Sequence, residues 1–102
     1  MSPELLPSSF DYQTTIPLWQ LHANGKKIAR ELTFGDFEQA FRFMTLVAQR
    51  AEELNHHPDW SNSWNRVTVE LSTHSAGGLT QLDIDLAMAI DQIASHIQFA
   101  KA

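Results

Sequence analysis

Phe37, Ala40, Phe41, Met44, Val47, Ala48, Ala51 and Leu54 recur at intervals of three and four, which commits the middle of this chain to one amphipathic helix. Asp36 is a good N-cap with Gln39 three residues on, and Asn55 supplies a stop, so the helix is expected over residues 36–54. An apolar stripe needs an apolar surface to lie on. Residues 18–22 and 26–34 read as two strands joined at Asn24-Gly25, a dipeptide that accepts the positive φ angles of a tight hairpin turn. Ile28, Leu32 and Phe34 share a face, with Arg30 as its polar member, either where that face reaches solvent or in a buried ionic role. Val67, Val69 and Leu71 alternate with Thr68, Glu70 and Ser72, the period of a half-buried strand, and an extended piece around Trp60 to Trp64 pairs with it. Ala76-Gly77-Gly78 breaks the chain. Thr80 with Asp83 then forms a capping box opening a second helix, whose inner face holds Leu86, Ala87, Ile90, Ile93, Ala94 and Ile97. Each element has one apolar side to bury, so the predicted class is α+β: an antiparallel four-stranded sheet with α-helices packed on one face.

Residues 1–15 hold two of the four prolines and several Ser and Thr, and read as a flexible or loosely docked N-terminal arm ahead of one domain over 16–102. With 102 residues and 43% hydrophobic content, one modest core is the expectation. The chain has no cysteine, so neither a disulfide framework nor a thiolate zinc site is available and a metal would need His and carboxylate ligands. No signal-like start and no apolar run of about 20 residues is present, so the expected protein is cytoplasmic and free of the membrane. Twelve acidic residues against seven basic ones give a net charge of -5, and the basic residues are scattered apart from Lys26 and Lys27. That footprint argues against direct nucleic-acid binding.

Three of the five histidines fall in one spaced pattern with acids around them: Glu52, His56, His57, Pro58, Trp64, His74 and Asp83. Imidazole both gives and takes protons near neutral pH, so the cluster suits general acid/base work. The same atoms, His56, His57, His74 and a carboxylate, could instead make a zinc site, although adjacent histidines rarely converge on one ion. Glu52 stands four residues before His56 across the helix end and could orient its ring if the last turn persists. His57 precedes Pro58, which favours extended backbone and sends neighbouring histidines in different directions. Trp60 and Trp64 read as core or interface aromatics, and His22 and His96 as ordinary surface residues.

These residues resemble those of the pterin-4a-carbinolamine dehydratase (4a-hydroxytetrahydrobiopterin dehydratase) family. The likeness runs roughly from Trp19 to Ile97 and rests on Phe41-x-Phe43-Met44, Ala51-Glu52, Asn55-His56-His57-Pro58-Asp59-Trp60, Leu71-Ser72-Thr73-His74 and Gly78-Leu79-Thr80-x-x-Asp83. Two departures stand out: the Pro- and Ser-rich start where family members commonly begin with a helix, and Leu82 where a basic residue often precedes the aspartate. The resemblance implies a hydro-lyase that dehydrates a 4a-hydroxytetrahydropterin to the quinonoid dihydropterin, recycling the tetrahydrobiopterin cofactor of aromatic amino acid hydroxylases, with no metal or organic cofactor. It also implies His56 and His74 as the proton-transferring pair, His57 chiefly binding substrate, and Glu52 and Asp83 orienting or tuning them. His56 to Pro58 and Thr73, His74, Ser75 and Ala76 would then contact the flat pterin. A homo-oligomer, dimer or tetramer, is implied, with a hydroxylase or another protein as partner. The rival reading is a non-enzymatic binding or assembly scaffold, since relatives dimerise a transcription factor or assemble a carbon-fixing enzyme.

Overall fold

The computed structural model describes the backbone of residues 3–101 and the side chains of residues 3–97, so Met1, Ser2 and Ala102 of the expected arm and domain lie outside the described residues. A four-residue helical turn, α1 (Tyr12–Thr15), precedes strands β1 (Gln20–His22) and β2 (Lys27–Thr33). Helix α2 (Phe37–Leu54), strands β3 (Asp59–Ser63) and β4 (Arg66–Leu71), and helix α3 (Gln81–Lys101) follow. The strands form one four-stranded antiparallel sheet, the class expected, and their order is β1-β2-β4-β3.

One face of that sheet is apolar and both long helices cover it. Ile28 and Leu32 from β2 and Val67, Val69 and Leu71 from β4 join Ala40, Phe43 and Val47 of α2 and Ile84, Leu86, Ala87, Ile90, Ala94 and Ile97 of α3 in a single buried cluster. Arg30 is not at the solvent edge: its guanidinium reaches the Asp91 carboxylate on α3, which also accepts from Trp19 Nε1 at 2.9 Å. The pair is half-buried and, with Trp19, ties β2 and the residue just before β1 to α3.

Local chemistry sets the element ends. Asp36 accepts from the Gln39 amide at 2.9 Å, and the Gln39 side chain accepts from the Gly35 amide at 2.8 Å, a reciprocal cap of the kind its sequence spacing announces. At the other end Asn55 adopts φ 51° and ψ 42°, while the His56 amide reaches back to the Ala51 carbonyl and the Asn55 amide to Glu52. This is a Schellman cap, and it reverses the chain. The first hairpin loop is wider than Asn24-Gly25 alone, with Ala23, Asn24 and Gly25 all at positive φ between the paired His22 and Lys27.

The buried arc of α2 is rotated from the stripe expected. Ala40, Phe43, Val47 and Ala51 face the core, whereas Phe37 and Phe41 are about half exposed and Ala48 is exposed. Apolar residues cover so wide an arc of this helix that spacing alone does not choose the side that meets the sheet. Phe43→Ala should therefore cost about 3–5 kcal/mol of stability in urea denaturation, the range for removing a buried aromatic ring.

Candidate active site

The end of α2, the loop after β4 and the start of α3 meet at the carboxylate of Asp83, which is completely buried. Oδ1 lies 2.6 Å from His56 Nε2; Oδ2 accepts from the Thr73 hydroxyl at 2.7 Å and from the Thr80 amide at 2.9 Å. A carboxylate only accepts, so His56 carries its proton on Nε2 and its Nδ1 is the nitrogen left to accept. Thr73 gives its single hydroxyl hydrogen to Asp83, so the Thr80 hydroxyl, 2.8 Å away, is the donor to Thr73. Among the described residues no buried side-chain nitrogen or oxygen is left without a partner.

The Schellman cap explains where the two adjacent histidines go. Left-handed Asn55 swings His56 inward to Asp83, and His57 then returns along the helix end, where its Nε2 lies 2.6 Å from Glu52 Oε2. Glu52 thus serves His57, not His56 as the four-residue spacing suggested: the helix does not persist far enough to carry that geometry. The His57 and Glu52 side chains are 58% and 78% exposed, against 10% for His56, so only His56 is held in a dry setting.

His74 begins a short 3₁₀ turn, His74–Ala76, closed by paired backbone bonds between Thr73 and Gly78. Its ring is open to solvent, with Nε2 3.6 Å from Asp59 Oδ2, a contact beyond direct hydrogen bonding. Asp59 is a partner that sequence reasoning did not assign, although it stands inside the His-His-Pro-Asp run. The three histidines therefore sit on one closed circuit: His57, Pro58 and Asp59 in sequence, Asp59 beside His74, Thr73 bound to Asp83, and Asp83 bound to His56. Each faces its own carboxylate. Among the described residues no group of three or more His, Asp or Glu side chains is placed to share one metal ion.

Of the residues expected to meet substrate, His57, His74 and Ser75 are exposed and Pro58 and Ala76 half-buried. Thr73 is buried, and its hydroxyl, amide and carbonyl all have partners within the protein.

Compared with known proteins, residues 4–93 match the family model described as pterin 4 alpha carbinolamine dehydratase. A Burkholderia lata protein with the provisional name pterin-4-alpha-carbinolamine dehydratase is 52% identical over 83 residues, 81% of each chain. A Burkholderia multivorans protein with the same provisional name is 53% identical over 81 residues, 79% of each chain. Among solved structures, a transcriptional coactivator/pterin dehydratase from Brucella melitensis superposes with a TM-score of 0.81 at 41% identity, covering 88% of this chain and 98% of that one. A pterin dehydratase-like protein identified as a RuBisCO assembly factor in the alpha-carboxysome shares the fold with a TM-score of 0.65 at 21% identity, over 74% of this chain and 88% of that one.

Asp83→Asn puts an amide NH2 where only acceptors fit, facing the His56 N–H or the Thr73 and Thr80 donors. Urea denaturation should show a loss of about 2–4 kcal/mol. Glu52→Gln, on an exposed pair, should change stability by less than about 0.5 kcal/mol.

Proposed function

The chain belongs to the pterin 4 alpha carbinolamine dehydratase family, and from that premise we propose that it removes water from a 4a-hydroxytetrahydropterin, giving the quinonoid dihydropterin that is reduced back to the tetrahydropterin cofactor of aromatic amino acid hydroxylases. The observation that carries the reading is the closed circuit of three histidines, each beside a carboxylate, around the buried His56–Asp83 contact.

The chemistry needs two proton movements and no change of oxidation state. The bond between the 4a carbon and its hydroxyl oxygen breaks; a proton delivered to that oxygen lets it leave as water, and a ring nitrogen gives up its proton as the new double bond forms. Hydroxide is a poor leaving group, so a positioned acid and base lower the barrier, typically by about 10²- to 10⁴-fold. His56 and His74 are the proposed proton-transferring pair. His56 works from a fixed orientation, with Asp83 holding Nε2 and Nδ1 left to exchange a proton. His74 is open to solvent and to a ligand. His57, steadied by Glu52, is the proposed substrate-binding histidine, and Pro58 and the His74–Ala76 turn would border the flat ring. No metal or organic cofactor enters this scheme.

Exposed aromatic surface favours a second feature of the reading, self-association. Phe37 and Phe41 stack on each other with centroids 5.8 Å apart on the uncovered side of α2, and Trp64 is exposed in the β3–β4 turn. The proposed state is a homo-oligomer, a dimer or tetramer, acting in the cytoplasm, and an aromatic amino acid hydroxylase is the enzyme class served. Among the described residues no helix is long and apolar enough to cross a membrane.

The test is dehydration of enzymatically generated 4a-hydroxytetrahydropterin by the wild type, His56→Ala, His74→Ala and the double variant. The double variant should lose about 10²- to 10⁴-fold in turnover; wild-type-like dehydration by it would remove both residues from the mechanism, and no dehydration by the wild type would favour the scaffold reading. Light scattering at micromolar concentration should give the mass of a dimer or tetramer, and a monomeric mass would contradict the oligomer.

A further inference from the structure

The proposed reaction gives no task to residues 3–15, yet they lie against the segment that delivers Asp83. Leu5 and Thr80 form an isolated antiparallel bridge, and the Leu6 amide donates to the Leu79 carbonyl at 2.9 Å. Leu5 also covers Gly78: a Cβ at that position would stand 3.0 Å from Leu5 Cδ2, so the contact closes tightly on this glycine. Leu5, Leu6 and Tyr12 line one small cavity together with Gly77, Gly78 and Leu79. Tyr12 packs against the main core, its ring 4.7 Å from that of Phe10. Burial pushes the Tyr12 phenol above its ordinary range, and the negative charge of Asp83 pushes it the same way, which sets the ring within the field of that carboxylate.

The link beneath this segment is the one in the site most in need of support. Gly77 and Gly78 connect the His74–Ala76 turn to α3, Gly77 at φ 76°, and glycine loses more conformational freedom on ordering than any other residue. Two residues beyond Gly78, Thr80 supplies the amide that binds Asp83 Oδ2 and the hydroxyl that binds Thr73. Small errors in the Gly77–Thr80 path therefore pass directly to Asp83 and from it to His56.

We propose that residues 5–12 are a positioning strap for the catalytic corner: by pairing with Leu79 and Thr80, Leu5 and Leu6 hold the two-glycine link in the path that lets Thr73 and Thr80 clamp Asp83, and Asp83 orient His56. Leu5, Leu6 and Tyr12 are positioning residues that act through this link. The effect on turnover rests on the dehydratase reading; the effect on the link does not.

The experiment compares wild type with Leu6→Pro, which removes the N–H that Leu79 accepts, and with Leu6→Ile, which keeps it. Amide hydrogen exchange at Thr80 should be about tenfold faster in Leu6→Pro while Val47 in the middle of α2 is unchanged, as a local opening requires. Tyr12 is the chain's only tyrosine, so tyrosinate absorbance reports the strap alone. Ionisation of Tyr12 is disfavoured in the folded chain, so its contribution to stability is whole below the unfolded value and lost as pH rises through the raised folded one. The wild-type midpoint should lie above 10.0 and fall toward it in Leu6→Pro. The dehydratase kcat should drop about tenfold with KM little changed, because the exposed His57 and His74 still meet substrate; Leu6→Ile should match wild type throughout. Equal acceleration at Thr80 and Val47, or no acceleration at either, would overturn the proposal. Absence of dehydration by the wild type would sink the dehydratase reading while exchange and titration still decide for or against the strap.

Discussion

The buried carboxylate of Asp83 is the constraint on which the rest of this molecule depends. A charge with no exposed surface is tolerated only when its oxygens are filled, and the three donors that fill them come from three places: the second residue past the end of α2, the segment just after β4 and the cap of α3. Meeting that demand fixes how the helices approach the sheet edge. The left-handed stop at Asn55, the Thr73–Gly78 closure and the capping box at Thr80 are separate local solutions that all deliver a donor to one point.

The same demand grades the three histidines. His56 is held dry and in one tautomer, His57 is steadied at the surface by Glu52, and His74 stands in solvent near Asp59. A rigid imidazole beside two accessible ones is a workable division for a reaction that needs a substrate held flat while protons move at two of its atoms. The exposed pairs contribute little to stability, so their carboxylates do not hold the fold.

Much of the architecture was legible because its signals are local. Asp36, Gln39 and Asn55 bound α2 where their capping chemistry says, and Val67, Val69 and Leu71 alternate as the half-buried strand they form. The failures come where tertiary geometry decides. Phe43 is fully buried while Phe37 and Phe41 are not, because α2 is apolar over so wide an arc that only contact with the sheet selects a side. Glu52 meets His57 because a left-handed residue cuts short the helix on which a four-residue spacing relies. The candidate site was legible as a set of spaced residues, but not the pairing of each histidine with its own acid. Tyr12 and Leu5 had no signal at all, since nothing in a Pro- and Ser-rich stretch reveals a contact with a distant glycine link.

The matched relatives include a protein described as both coactivator and dehydratase, so the decisive question is whether the histidine corner takes a pterin. A crystal structure of this protein with a bound oxidised, unreactive pterin addresses it most directly. The account predicts the ring lying between the His57–Pro58 segment and the His74–Ala76 turn, with His56 Nε2 still on Asp83. A ring bound elsewhere, such as the groove between α2 and α3 near Arg50 and Met88, or His56 turned away from Asp83, would contradict it.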